Sequence, residues 1–269
     1  MGHKLAGFPL WMALFTTAAV AQPTIYGSAY SGRQGPASLY KISPSTGAAT
    51  LIGAIGFNEV GALAFSADGT LYGTGTDGRK WYLLTINTDT GAGTIAGTLS
   101  IPGPYYDMAF RPSDGTLFAY SCDLFTINTS SGTATNLGGN DCGDGQALAF
   151  SSSNSLYYAD NANLELVNQS TGSGTLVASL TYAPAFGAFE SRTNAMKFDL
   201  ATGTLWASVV NNARTVGLGS LETYSLGTIN ITTGTVTIVG PTVSGLEAIA
   251  LAPVAATAPA ASEVLTSTK

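Results

Sequence analysis

Apolar and polar positions alternate in short runs along most of the chain, and two arrangements of those runs keep returning. The first is Ala62-Leu-Ala-Phe-Ser-Ala-Asp-Gly-Thr-Leu-Tyr-Gly73: an apolar run, a polar turn carrying Asp68-Gly69, and a second apolar run. That pattern predicts a β-hairpin. It returns as MAFRPSDGTLF from Met108, ALAFSSSNSLY from Ala147 and AMKFDLATGTLW from Ala195. The second arrangement is an apolar strand followed by a Thr-Gly turn, as in SLYKISPSTGAATLIG from Ser38 and LLTINTDTGAGTIAG from Leu83. Further copies start at Leu124, Leu164 and Leu226, with turn glycines Gly47, Gly91, Gly132, Gly172 and Gly234. Within a copy, Leu84 and Ile86 alternate with Thr85 and Asn87, which is the period of a strand.

A hairpin plus a hairpin makes four strands, and five such units of roughly 40–60 residues predict an all-β fold, a five-bladed β-propeller. Counting strands also predicts how the ring closes. The last hairpin has a first strand, Glu247 to Ala252, and no second. Thr24-Ile-Tyr-Gly27 matches Thr70-Leu-Tyr-Gly73, so the N-terminal strands should complete the C-terminal blade and remove the open edges. The longer stretch from Tyr182 to Ser220 is expected to hold two loop insertions, at Tyr182 to Thr193 and Val209 to Ser220.

These ALAFS-x-DGTLY and LY-x-I-x-x-x-TG-x-x-T-x-IG repeats resemble those of secreted and cell-surface β-propellers. In layout they are similar to the NHL and YVTN types, and to other secreted propellers with the same Thr-Gly repeat. The resemblance covers Pro23 to Pro253. It speaks to fold and hardly to activity, because the matching positions are turn and core residues.

The first 21 residues read as a secretory leader. Lys4 supplies the charge, Leu5 to Val20 is apolar, and Ala19-Val20-Ala21 offers small residues for cleavage before Gln22. The propeller is then expected over 22–253, and the Ala/Pro/Ser/Thr-rich stretch 254–269 as a flexible tail. Losing the leader removes His3, the only histidine, and leaves nine basic against sixteen acidic side chains. Such a surface disfavours nucleic acid and anionic membranes. No span is expected after cleavage, so the chain is expected to be a secreted or cell-surface monomer with an extracellular glycan or protein as partner.

A mature chain without histidine has no Ser-His-Asp or Cys-His nucleophile system and no imidazole metal ligand. Carboxylates, amides, hydroxyls and backbone remain. In a propeller, the residues before each innermost strand surround the mouth of the channel. Glu59, Tyr106, Asp107, Asp144, Gln146, Asn194 and Glu247 are therefore the candidate ligand-binding residues. The carboxylates do not repeat from blade to blade: Pro104, Asp144, Arg192 and Gly245 align with Glu59. Asp77, Arg79, Lys80, Trp81, Asp160, Asn161 and Arg214 are expected on the same face.

Cys122 and Cys142 are the only cysteines, and in a secreted chain they are expected to form a disulfide, closing about 20 residues and contributing roughly 3 kcal/mol. Asn128, Asn168 and Asn230 head glycosylation sequons, although Asn is also a turn former at these repeat positions. Asp68-Gly69 and Asp114-Gly115 lack an EF-hand ladder and read as hairpin turns.

Three functions are compatible with this inventory. The first is a non-catalytic binding or scaffold propeller with no cofactor. The second is a glycan-acting hydrolase drawing two carboxylates from Glu59, Asp107, Asp144, Glu190 and Glu247. Five-bladed propellers include such hydrolases, but the likeness to them stops at blade number. The third is a lactonase-like enzyme with calcium held by one carboxylate and amides such as Asn58, Asn140 and Asn194.

Overall fold

A computed structural model describes residues 22–30, 35–101, 103–139, 147–160, 162–182, 190–215 and 219–253, with residues 190, 212–215 and 219–221 described by backbone alone. Among them every regular element is a strand, and no helix is long and apolar enough to cross a membrane.

The chain begins with β1 (Ile25–Ala29), β2 (Pro36–Ile42), β3 (Ala49–Phe65), β4 (Leu71–Thr76), β5 (Trp81–Ile86) and β6 (Gly93–Thr98). Next come β7 (Asp107–Phe110), β8 (Leu117–Ser121), β9 (Asp123–Ile127) and β10 (Ala134–Gly139). A third set is β11 (Ala147–Phe150), β12 (Leu156–Ala159), β13 (Asn163–Val167) and β14 (Gly174–Ser179). The remainder is β15 (Thr181–Tyr182), β16 (Glu190–Phe198), β17 (Leu205–Thr215), β18 (Gly219–Ile229), β19 (Thr235–Pro241) and β20 (Leu246–Leu251).

The strands group in fours. The sets β7 to β10 and β11 to β14 are separate antiparallel sheets. Strands β16 to β19 form another, with β15 added in parallel at its edge. The fourth sheet runs β20-β1-β2-β3-β4-β5-β6 and contains two groups, because β3 serves both. Its first half pairs with β2 and its second half with β4. Strand β1 pairs antiparallel with β20, so the N-terminus completes the last group as the repeat count requires. The inner strands β20, β3, β7, β11 and β16 touch in a closed cycle around an axis. The fold is a β-propeller.

The recurrent residues hold neighbouring groups together. The aromatic ending each Thr-Leu-Tyr run meets the Phe ending the next inner strand, with ring centroids 5.3–5.5 Å apart in Tyr26–Phe65, Tyr72–Phe110, Phe118–Phe150 and Tyr157–Phe198. Trp206 and Leu251 share the cluster that closes the cycle. The five hydrophobic clusters each join two adjacent groups. The Thr-Gly turns add a second tie at the rim. Gly91, at φ 82°, lies so close to the preceding outer strand that a Cβ there would stand 2.7 Å from the Gly53 carbonyl oxygen. Only glycine combines that backbone angle with that approach.

One sequence expectation is corrected. Val209 to Ser220 is not a loop insertion. Strands β17 and β18 pair continuously from Leu205↔Ile229 to Thr215↔Gly219, so this stretch lengthens a hairpin. The first of the two expected insertions, Tyr182 to Thr193, ends inside β16, whose Glu190 pairs with Asn212. Residues paired across this long hairpin satisfy their backbone N–H and C=O groups in the ladder.

Candidate functional site

The inner strands begin at one end of the channel, here the upper mouth, and finish at the lower mouth. Strand β16 carries Arg192 and Asn194 to the upper lip, the lengthened β18 carries Glu222 and Tyr224, and β20 carries Glu247. Their side chains form a closed hydrogen-bonded circuit. The Asn194 amide donates to Glu247 Oε2 at 2.7 Å, and Arg192 Nε donates to Asn194 Oδ1 at 3.0 Å. The Arg192 guanidinium reaches Glu222 Oε1 at 3.5 Å, and the Tyr224 hydroxyl donates to Glu222 Oε2 at 2.7 Å. That hydroxyl also stands 3.4 Å from Glu247 Oε1, which completes the circuit.

Burial pushes the Glu247 carboxyl up to about 7, with Arg192 opposing the shift and Glu222 adding to it. Burial likewise raises the Tyr224 hydroxyl, with Glu247 the next cause. Burial raises the Tyr30 hydroxyl as well, followed by the charges of Glu247 and Glu59, which places both carboxylates in its electrostatic reach. Glu59 sits in a bulge between Asn58 and Ala62 at φ 47°, a left-handed conformation rare for a non-glycine residue. Tyr106 is exposed nearby, with Coulombic influence on Tyr30. The structure thus brings together Glu59, Tyr106, Asn194 and Glu247 of the sequence-predicted set, and adds Tyr30, Arg192, Glu222 and Tyr224.

Asp107 is placed differently from the expectation. It is fully buried inside the channel rather than presented at the lip. Lys197 Nζ lies 2.6 Å from its Oδ1, and Met108 N donates to the same oxygen at 2.8 Å. Its Oδ2 accepts from Leu148 N at 2.9 Å and Met196 N at 3.2 Å. Lys197 in turn donates to the carbonyls of Met196 and Leu148. Burial raises the Asp107 carboxyl to about 6 against the pull of Lys197, and burial lowers Lys197. The physical reason for the placement is strand alternation. Asp107 occupies the position held by Ala62, Ala147, Ala195 and Ala248 in the other inner strands, and Lys197 that of Ala64, Ala109, Ala149 and Ala250. Those alanines face the axis, and one acid and one base fill the space they leave.

Asp144, Gln146 and Cys142 lie outside the described residues, as do Asn140 and Asn161. Asp77 and Asp160 are occupied by their own turns, accepting the N–H groups of Arg79 and Lys80 and of Ala162 and Asn163 respectively. Asn128 and Asn230 each accept the N–H groups two and three residues on, and Asn168 accepts that of Ser170. Their side-chain oxygens thus act as turn formers. Asp68 and Asp114 accept the N–H groups of Thr70 and Thr116 within their hairpin turns. Among the described residues no three or more Asp, Glu, His or Cys side chains stand together as a cation site. Of the calcium set anticipated for a lactonase, Asn194 is engaged with Arg192 and Glu247.

No protein-family model matches the chain, and no curated protein does. A chain of the nidogen/laminin complex superposes with a TM-score of 0.54 at 13% identity, covering 86% of this chain and 98% of that one. TolB from Acinetobacter baumannii aligns with a TM-score of 0.49 at 12% identity over 83% and 54% of the two chains. A gluconolactonase, XC5397 from Xanthomonas campestris, gives 0.45 at 13% identity over 84% and 78%. The first likeness shows the fold alone, and the other two carry no argument about this chain.

Proposed function

We propose that this chain is a secreted, non-catalytic binding protein, a five-bladed propeller over 22–253 that holds a hydroxyl-rich glycan at its upper mouth. The Glu247–Asn194–Arg192–Glu222–Tyr224 circuit carries the reading. It places carboxylate acceptors, an amide, a guanidinium and a phenol within one lip, the donor and acceptor mixture that vicinal hydroxyls match. Tyr106, 41% exposed, adds an aromatic face against which a sugar ring can lie. A leader at 1–21, a Cys122–Cys142 disulfide and glycosylation at Asn128, Asn168 and Asn230 belong to the same extracellular reading.

The test is retention of the mature protein on a panel of immobilised polysaccharides, with analysis of the eluate for shortened chains. Retention without products supports the proposal. Failure on every polysaccharide shifts the assignment to a protein partner.

One observation favours a second reading, a glycan hydrolase. Glu222 and Glu247 share the Tyr224 hydroxyl, and Glu247 has the raised carboxyl expected of a general acid beside a second carboxylate. Products released by the native protein and absent with Glu247→Gln would establish it over simple binding.

A further inference from the structure

The lower mouth, at the opposite end of the channel from the proposed glycan site, holds a chamber of about 410 Å³. Its wall is built from the ends of all five inner strands: Phe65, Phe110, Phe150, Phe198 and Leu251 occupy equivalent positions and all contribute. Ala64 and Ala109 leave space between them, and Leu200, 48% exposed, stands at the rim. Lys197 forms the inner end, with its ammonium turned away to Asp107 and two carbonyls.

The charged groups around this chamber are engaged by their own neighbours. Arg111 is held by Asp114 and Gln169, with its guanidinium 5.1 Å above the Phe118 ring. Asp199 accepts from Ala201 N and the Thr202 hydroxyl. A ligand entering here meets aromatic edges and alkyl surface, with Arg111 paired to Asp114 and the oxygens of Asp199 taken by its own turn. An anionic guest would lose hydration and face the Asp199 carboxylate, whereas a neutral apolar one gains by leaving water. The volume exceeds the ~150 Å³ of a cavity that takes one benzene and falls within the ~300–1,000 Å³ of small-molecule sites.

We propose that this chamber is a second binding site, separate from the upper mouth, for one neutral apolar molecule of two or three fused rings. Such a guest lies within the cycle of five strand ends, in contact with Ala64, Ala109 and the ring of Phe side chains. The site needs no contribution from Glu247 or Asn194, so it stands or falls independently of the glycan reading.

The experiment is titration of the full chain with neutral 1-aminoanthracene, read by fluorescence enhancement, followed by displacement with 1-naphthalenemethanol and with 1-naphthoate. Saturation at one equivalent is expected, and the alcohol should displace the probe about tenfold or more better than the carboxylate. Ala64→Leu, which fills the chamber, should weaken the probe by about tenfold or more. Because that variant alters the channel wall, labelling of the native chain with a neutral aryl diazirine supplies an independent readout. Adducts are expected on residues 64–67, 109–112, 198–201 and 251–253. Three results overturn the proposal: no saturable binding, equal or better displacement by the carboxylate, or adducts confined to exposed outer-strand residues such as Leu51, Ile95 and Leu176.

Discussion

Removing Lys197 alone should damage this fold more than removing Lys197 and Asp107 together. In Lys197→Met the Asp107 carboxylate keeps its three N–H partners, at 2.8, 2.9 and 3.2 Å, but loses the ammonium at 2.6 Å, while remaining wholly buried. Breaking a buried pair on one side costs about 3–5 kcal/mol, and the retained N–H bonds place the expectation near 3. Asp107→Asn leaves the buried ammonium without a counter-charge, with an amide oxygen and the Leu148 and Met196 carbonyls as acceptors, and a loss of similar size is expected. The double variant Asp107→Asn with Lys197→Met removes both charges and preserves volume and one acceptor. Because the amide nitrogen takes the place of one carboxylate oxygen and leaves backbone N–H groups without an acceptor, it should lose about 2 kcal/mol, less than either single variant. The cycle thus predicts a coupling of several kcal/mol, read from urea unfolding of the four proteins at pH 7. The loss in Lys197→Met should shrink at pH 5, where the unpaired carboxyl takes up a proton and ceases to be a buried charge. Additive single losses, with the double variant about 6 kcal/mol down, would refute the claim that the two side chains form one compensated unit.

Other consequences are smaller and local. Gly91→Ala meets both φ 82° and the Gly53 carbonyl, whereas Gly69→Ala meets φ 85° in open space, so Gly91→Ala should cost about 1 kcal/mol or more beyond Gly69→Ala in denaturant unfolding. Tyr72→Leu and Phe110→Leu should show a coupling of about 0.5–1.5 kcal/mol in a double-mutant cycle, as their rings lie 5.4 Å apart; zero coupling would dismiss the aromatic tie between groups. Glu247 has a folded-state value of about 7, above its ordinary 4.5, so the native state holds its proton more tightly than the unfolded chain. Stability should therefore fall as pH rises from about 4.5 to 7, by up to about 3 kcal/mol, and Glu247→Gln should flatten that part of the profile. A native profile that rises over this range in step with the variant would contradict the assignment.

The repeat was legible because its residues do the joining. The aromatic of each Thr-Leu-Tyr run and the Phe of the next inner strand meet across the gap between groups, and the Thr-Gly turn approaches the preceding outer strand too closely for a side chain. Both contacts recur, so both leave a periodic trace in the sequence. Asp107 was visible as an acid near the channel, but strand alternation turns it toward the axis with the alanines of the other groups. Lys197, the single base among four alanines at its own aligned position, is the signal that points to this pairing. Glu222 belongs to the extension of β17 and β18 beyond the last pair shared with the β4–β5 hairpin, so repeat alignment could not reach it, whereas Tyr224 aligns with Trp81, which pairs with Thr76 as Tyr224 pairs with Val210. Tyr30 follows β1 at a position without a repeated residue type, so alignment gave no signal for it. Arg192 was legible as a departure from the carboxylate at Glu59; its part in the circuit depends on the reach across β17 to Glu222.

The central claim is that the upper-mouth circuit is a glycan-binding surface and not merely a set of solvated loop residues. Calorimetric titration of the native protein, Asn194→Ala and Tyr106→Ala with a soluble fragment of the retained polysaccharide tests it most directly. The account predicts one site on the native protein, weakened about tenfold or more in each variant, since each loses one hydrogen-bonding or stacking contact of about 1–2 kcal/mol. Affinity unchanged in both variants would place the ligand elsewhere on the molecule and contradict it.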